Sequence, residues 1–170
     1  MTAKRLIIAP HPDDEVIGCW SVLQGSQVCY GGGTGGCSEE RYKEAQRVAI
    51  GLNFECMGLA WGIGSLFVKV EDFKKCCKGG VVLAPDPHFE LQPLHRQIGA
   101  VVSAFCRELA LRFVSYSTSM TAPYVRELPP LTQEVKRNAL DKFYSSQASL
   151  WAMDHRYFLF EGLAEWNPIV

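Results

Sequence analysis

Short apolar runs rich in β-branched residues alternate along the chain with longer segments whose apolar positions recur every three or four residues. That alternation predicts strands and helices in turn, the pattern of a mostly parallel sheet covered by helices. Residues 5 to 9 read as the first strand, and 15 to 24 as a helix with Val16, Cys19, Trp20 and Leu23 on one face. A second strand begins at 26 and runs into the Gly-rich GGGTGGC, a stretch able to turn tightly or approach a ligand closely. Ser38 is the expected N-cap of a helix to about Leu52, on which Ala45, Val48 and Ala49 share a face. Residues 54 to 61 predict a third strand, and 62 to 78 are ambiguous, a short helix being one reading. The next strand, 79 to 85, stops at Pro85. Pro93 suits the first turn of a long helix running from His95 to about Leu111. A strand over 112–117, a loop over 120–130, one helix over 132–151 capped by Thr132, and an irregular aromatic tail complete the expectation.

At 170 residues the chain has the size of a single domain, expected to span 1–170. Lys and Arg number 17 against 18 Asp and Glu, so no strong field favours nucleic acid or an anionic membrane, and a small-molecule partner is expected. No run approaches the roughly 18 apolar residues of a membrane span. The apolar stretch behind the N-terminal MTAKR is shorter than a secretory core of about 7 to 15 residues, so a soluble cytoplasmic protein is expected. Seven cysteines without a C-x-x-C pair read as reduced, small apolar residues rather than as disulfides or a cysteine metal site.

Behind the apolar LIIA stands APHPDDE, residues 9 to 15, and the HPDD turn therefore joins a strand to a helix. His11 and Asp14 lie three apart across that turn, and imidazole plus carboxylate is a ligand set suited to zinc or another divalent ion. A catalytic zinc takes about three protein ligands. His95 at a helix start, His88 in the loop before it and His155 in the tail are the remaining histidines; His95 is favoured because a helix start holds a side chain firmly. Composition alone leaves a second reading open, in which Asp13, Asp14 and Glu15 simply complement a helix dipole. GGGTGG lacks the Lys-Ser/Thr tail of a phosphate loop and the Gly-x-Gly-x-x-Gly spacing of a dinucleotide site.

APHPDDEVIGC resembles the signature of the LmbE-like, or PIG-L, family of zinc-dependent N-acetylglucosaminyl deacetylases. Further segments agree in order: RYKEAQRVAIGLNF resembles the family's Arg-x-x-Glu helix, LAPDPHFELQPLHRQIG its second metal segment, and KRNALDKFYSSQ its Lys-x-x-Ala-Leu helix closing on Ser-Gln. The resemblance implies a Rossmann-like three-layer α/β fold whose metal site lies at the C-terminal edge of a mostly parallel sheet. It further implies that His11, Asp14 and His95 ligate Zn2+ or another divalent metal, that Asp13 is the general base, and that Arg41 binds substrate. The implied activity is a hydrolase, a deacetylase acting on a small acetylated amine such as an N-acetyl amino sugar. Glu44 is expected to anchor its helix rather than touch substrate.

The chain departs from that pattern where the family has His-Pro-Asp-His and this sequence has Gln92, Pro93, Leu94 and His95. The missing histidine is the one associated with the oxyanion; Gln92 is expected in its catalytic place with only an amide donor to offer, and His88 is the other replacement considered. Leu94 removes a carboxylate able to orient a ligand histidine. These two changes support an alternative function, a metal- or ligand-binding relative with weak or lost catalysis. Tyr124, Arg126, Trp151 and Trp166 are candidates for a wall over a sugar, or simply for the core.

Overall fold

The computed structural model describes residues 5–31, 39–59 and 80–164. Its strands are β1 (Arg5–Ala9), β2 (Gln27–Tyr30), β3 (Glu55–Leu59), β4 (Val81–Pro85), β5 (Arg112–Ser117), β6 (Arg126–Glu127) and β7 (Phe160–Leu163). Its helices are α1 (Asp14–Leu23), α2 (Glu39–Leu52), α3 (Pro93–Glu108), α4 (Pro130–Phe143), α5 (Ala148–Met153) and α6 (Arg156–Leu159). The strands form one sheet in the order β3-β2-β1-β4-β5-β7-β6. The first five in that order pair in parallel, and β7 runs antiparallel to both β5 and β6.

The continuous apolar run of β1 follows from burial on both sides, since successive side chains of a strand point to opposite faces. Ile7 and Ala9 join a core with Val16 and Ile17 of α1, Val48 of α2 and Leu140 of α4. Leu6 and Ile8 join a separate core with Ile98, Val102 and Cys106 of α3. The chain thus forms an α/β fold with helices on a mostly parallel sheet, as the alternation predicted.

After β3 the chain returns to the other side of β1 and lays down β4 there. The strand order therefore reverses between β1 and β4, and a crevice opens at their C-terminal ends, the usual ligand position of open α/β sheets. The segments carrying His11 and His95 leave the sheet at that crevice.

Three expectations need correction. The loop predicted over 120–130 contains the short strand β6, whose Arg126 and Glu127 pair with β7. The helix predicted over 132–151 begins earlier, with Pro129 at the N-cap and Pro130 in the first turn, and ends at Phe143. A single 3-10 turn, Ser145–Gln147, separates it from α5. The break comes from tertiary hydrogen bonds: Tyr144 turns its hydroxyl to the buried Glu15 carboxylate, while Ser146 N and Oγ donate to Glu44 at 2.9 and 2.5 Å. Glu44 is thus an anchor, as expected. The tail is not irregular, because Arg156–Leu159 is helical and Phe160–Leu163 joins the sheet.

No helix among the described residues is long and apolar enough to cross a membrane. Cys19 and Cys106 are buried, and Cys29 and Cys56 are half-buried. Gly32 to Ser38, the ambiguous 62–78 segment with Cys76 and Cys77, and Trp166 lie outside the described residues.

Candidate metal centre

The HPDD turn is held by its own polar groups. Asp14 N donates to His11 O at 3.3 Å, and His11 N donates back to Asp14 Oδ2 at 2.8 Å. Asp13 then takes φ 118°, a left-handed value that a residue with a side chain rarely adopts. Glu15 secures that conformation by accepting Asp13 N at 3.1 Å, and Tyr144 secures Glu15. Burial pushes the Glu15 carboxyl up to about 7, so this clamp is itself poised near neutrality.

The turn delivers His11 and Asp14 to a point that His95 reaches from the first turn of α3. His95 Nε2 lies 3.2 Å from His11 Nδ1, and each of these nitrogens lies 3.4 Å from Asp14 Oδ2. A tetrahedral ion with bonds of about 2.0–2.1 Å holds neighbouring donor atoms about 3.3–3.4 Å apart. The three edges match that spacing, so the residues present fit such an ion, and His11 and Asp14 also line the crevice.

Electrostatics favour a cation at this point. Asp13, Asp14, Glu15 and Glu90 are all buried around the site, and the guanidinium beside them is Arg41. Burial alone would raise the Asp14 carboxyl, but the His95 and His11 rings hold it below its usual range. Burial alone would lower the His95 ring, but Asp14 and Glu90 outweigh it and raise its affinity for a proton. Both are the signature of carboxylates favouring positive charge at the centre.

Asp13 stands next to the triangle. Burial pushes its carboxyl well up, the adjacent Asp14 adds to the rise, and Arg41 opposes it. Arg41 donates to Asp13 Oδ2 at 3.1 Å and to Pro12 O at 2.8 Å, so the residue expected to bind substrate also positions the expected base. A carboxylate with a raised proton affinity beside a cluster able to hold a metal ion suits general-base chemistry.

The cleft above these residues has a volume of about 310 Å³. Gln92, at the N-cap of α3, lines it, whereas His88 is exposed, does not line it, and only offers its backbone N–H to Asp86. The residues considered for a wall are engaged elsewhere: Tyr124 is bonded to Asp86, Arg126 to Glu161, and Trp151 joins the core with its indole on Asp141. Leu91, Leu150, Gln147, Tyr157 and the Asp154–Arg156 pair form the wall instead.

Two residues that the sequence did not single out lie directly behind His95. The buried Glu90 carboxylate and the Thr118 hydroxyl face its Nδ1 at 3.5 and 3.2 Å. Glu90 comes from the loop after β4 and Thr118 from the end of β5, so no local spacing pairs them.

Fold and site together define an α/β protein with an open His-Asp-His centre at the reversal of its strand order. Neither a family model nor a curated protein matches the sequence. Among solved structures, the conserved protein TT1542 from Thermus thermophilus superposes with a TM-score of 0.73 at 17% identity, covering 99% of this chain and 97% of that one. At that identity the likeness speaks for the fold alone.

Proposed function

We propose that this chain is a zinc-dependent amidohydrolase with a Rossmann-like three-layer fold, one that removes an N-acetyl group from a small amine such as an N-acetylated amino sugar or its conjugate. The observation that carries the reading is the 3.2–3.4 Å donor triangle of His11, Asp14 and His95, open to a cleft beside Asp13. The sequence resemblance to LmbE-like deacetylases supports the choice of reaction.

A divalent ion, when bound, supplies Lewis acidity toward the amide carbonyl and toward water. Asp13 takes a proton from the attacking water as its oxygen bonds to the acetyl carbon, and returns that proton to the amine nitrogen as the C–N bond breaks. Acetate and the free amine leave. Arg41 holds Asp13 in place, and the Gln92 amide donates toward the carbonyl oxygen. A second reading, a metal-binding relative with weak catalysis, is favoured by Gln92, which can move no proton.

Metal analysis of the purified protein, followed by acetate release across acetylated amino sugars and nucleosides, separates the readings. Asp13→Asn is expected to keep the metal and lose turnover by about 10²-fold or more, and His95→Ala to lose the metal. Tight metal content with no acetate from any substrate would favour the second reading, and absence of metal would remove both.

A further inference from the structure

A buried polar contact behind His95 concerns the ring nitrogen that faces away from the donor triangle. An imidazole can ligate through Nε2 only if its proton sits on Nδ1, and the partner of Nδ1 decides this. The Glu90 side chain is fully buried, and it accepts on both oxygens: Thr118 N on Oε1, and Thr118 Oγ1 and Ser119 Oγ on Oε2 at 3.1 and 2.9 Å. With N–H and O–H donors on both oxygens, the Glu90 carboxyl is placed as an acceptor. The single hydroxyl proton of Thr118 is therefore committed to Glu90, and toward His95 Nδ1, 3.2 Å away, the hydroxyl can only accept. The direct distance from Glu90 Oε2 to Nδ1 is 3.5 Å, too long for a good bond, so threonine is the link.

We infer that Glu90 and Thr118 form a one-way hydrogen-bond relay, His95 Nδ1–H to Thr118 Oγ1–H to Glu90, which sets the tautomer of His95 and turns its Nε2 lone pair into the donor triangle. They are positioning residues, and they replace the orienting carboxylate absent at Leu94. Leu94 packs against the apolar core under α3, and the acid is supplied four positions earlier from the loop instead. The inference rests on the metal-binding part of the proposed function and is independent of which amide is cleaved.

Reversing the relay should disable the site without changing its shape. In Glu90→Gln the amide oxygen keeps Thr118 N, which turns the NH2 toward Thr118 Oγ1. The hydroxyl must then accept from the amide and donate to Nδ1, moving the ring proton to Nε2. Nitrogen-15 spectra of the metal-free protein at alkaline pH, where the ring is neutral, report the tautomer of His95 directly. Wild type and Thr118→Ser are expected as the Nδ1–H form, and Glu90→Gln as the Nε2–H form. Zinc competition with a chromophoric chelator should show affinity falling about 10- to 100-fold in Glu90→Gln and in Thr118→Val, with Thr118→Ser close to wild type. The serine and valine pair tests the relay even where Glu90→Gln folds poorly. An Nε2–H ring in wild type, or equal affinity in Thr118→Val and Thr118→Ser, would overturn the inference. A wild-type protein that binds no zinc but shows the tautomer switch would sink the proposed function and leave the relay standing.

Discussion

Negative charge that develops on a carbonyl oxygen during amide hydrolysis needs a donor, and Gln92 offers only the neutral N–H of its amide from the rim of the cleft. A histidine at this position adds charge and a mobile proton without disturbing α3, because Gln92 is exposed and its side chain makes no capping bond. Gln92→His is therefore expected to raise kcat by about 10²-fold with KM little changed, read from initial rates of acetate release. An unchanged kcat would exclude position 92 from the reaction. The neighbouring residues show where sequence reading works and where it stops. His11, Asp13 and Asp14 are legible because one compact turn motif places them, and His95 because a helix start after a strand fixes it. Glu90 and Thr118 are illegible for the opposite reason: each is an ordinary loop residue until the sheet brings the ends of β4 and β5 together. His88 was the other replacement considered, and the path of its loop leaves it in solvent, as a loop histidine usually is.

An element can position a ligand only as well as it is itself docked, and α3 is docked through Gly99. A Cβ at Gly99 would lie 2.0 Å from Pro85 O, so the helix rests directly on the backbone at the end of β4. Gly99 is one turn along from His95, on the same side of the helix. Gly99→Ala is thus expected to lift the N-terminal half of α3 from the sheet, costing about 1–3 kcal/mol in urea unfolding and weakening zinc binding by about 10-fold. A variant that loses stability but keeps wild-type affinity would show that His95 does not depend on this contact. Elements were legible where burial follows a single period, as in β1 or α3. They were misread where side chains override it. The helical pattern continues through 144–147, yet Tyr144 and Ser146 leave the helix to satisfy Glu15 and Glu44, two carboxylates far away in sequence.

At the scale of the molecule, the tail closes the fold through a lysine that helical spacing alone would have placed anywhere on α4. Within α1 the backbone leaves helical geometry at Cys19, and the Ser21 N–H that would bond Ile17 O instead donates to Glu161 of β7 at 2.7 Å. Lys136 of α4 replaces the lost donor, giving 2.7 Å bonds to Ile17 O and Phe160 O. Two carbonyls need two N–H groups, which a neutral amine also supplies. Burial pushes the Lys136 ammonium from 10.5 down to about 7, against the pull of Glu161. Between those values the unfolded chain binds a proton that the folded chain does not, so this residue's contribution to stability rises with pH and is lost as pH falls. The slope from this group is up to about 1.4 kcal/mol per pH unit. Lys136→Met should therefore be less stable than wild type, with two carbonyls left bare, and the deficit should widen from about pH 7 toward pH 10. Urea unfolding of both proteins across that range measures it. A deficit that stays constant with pH would mean that Lys136 is charged in the fold, and that an ammonium, not an amine, bridges α1 to the tail.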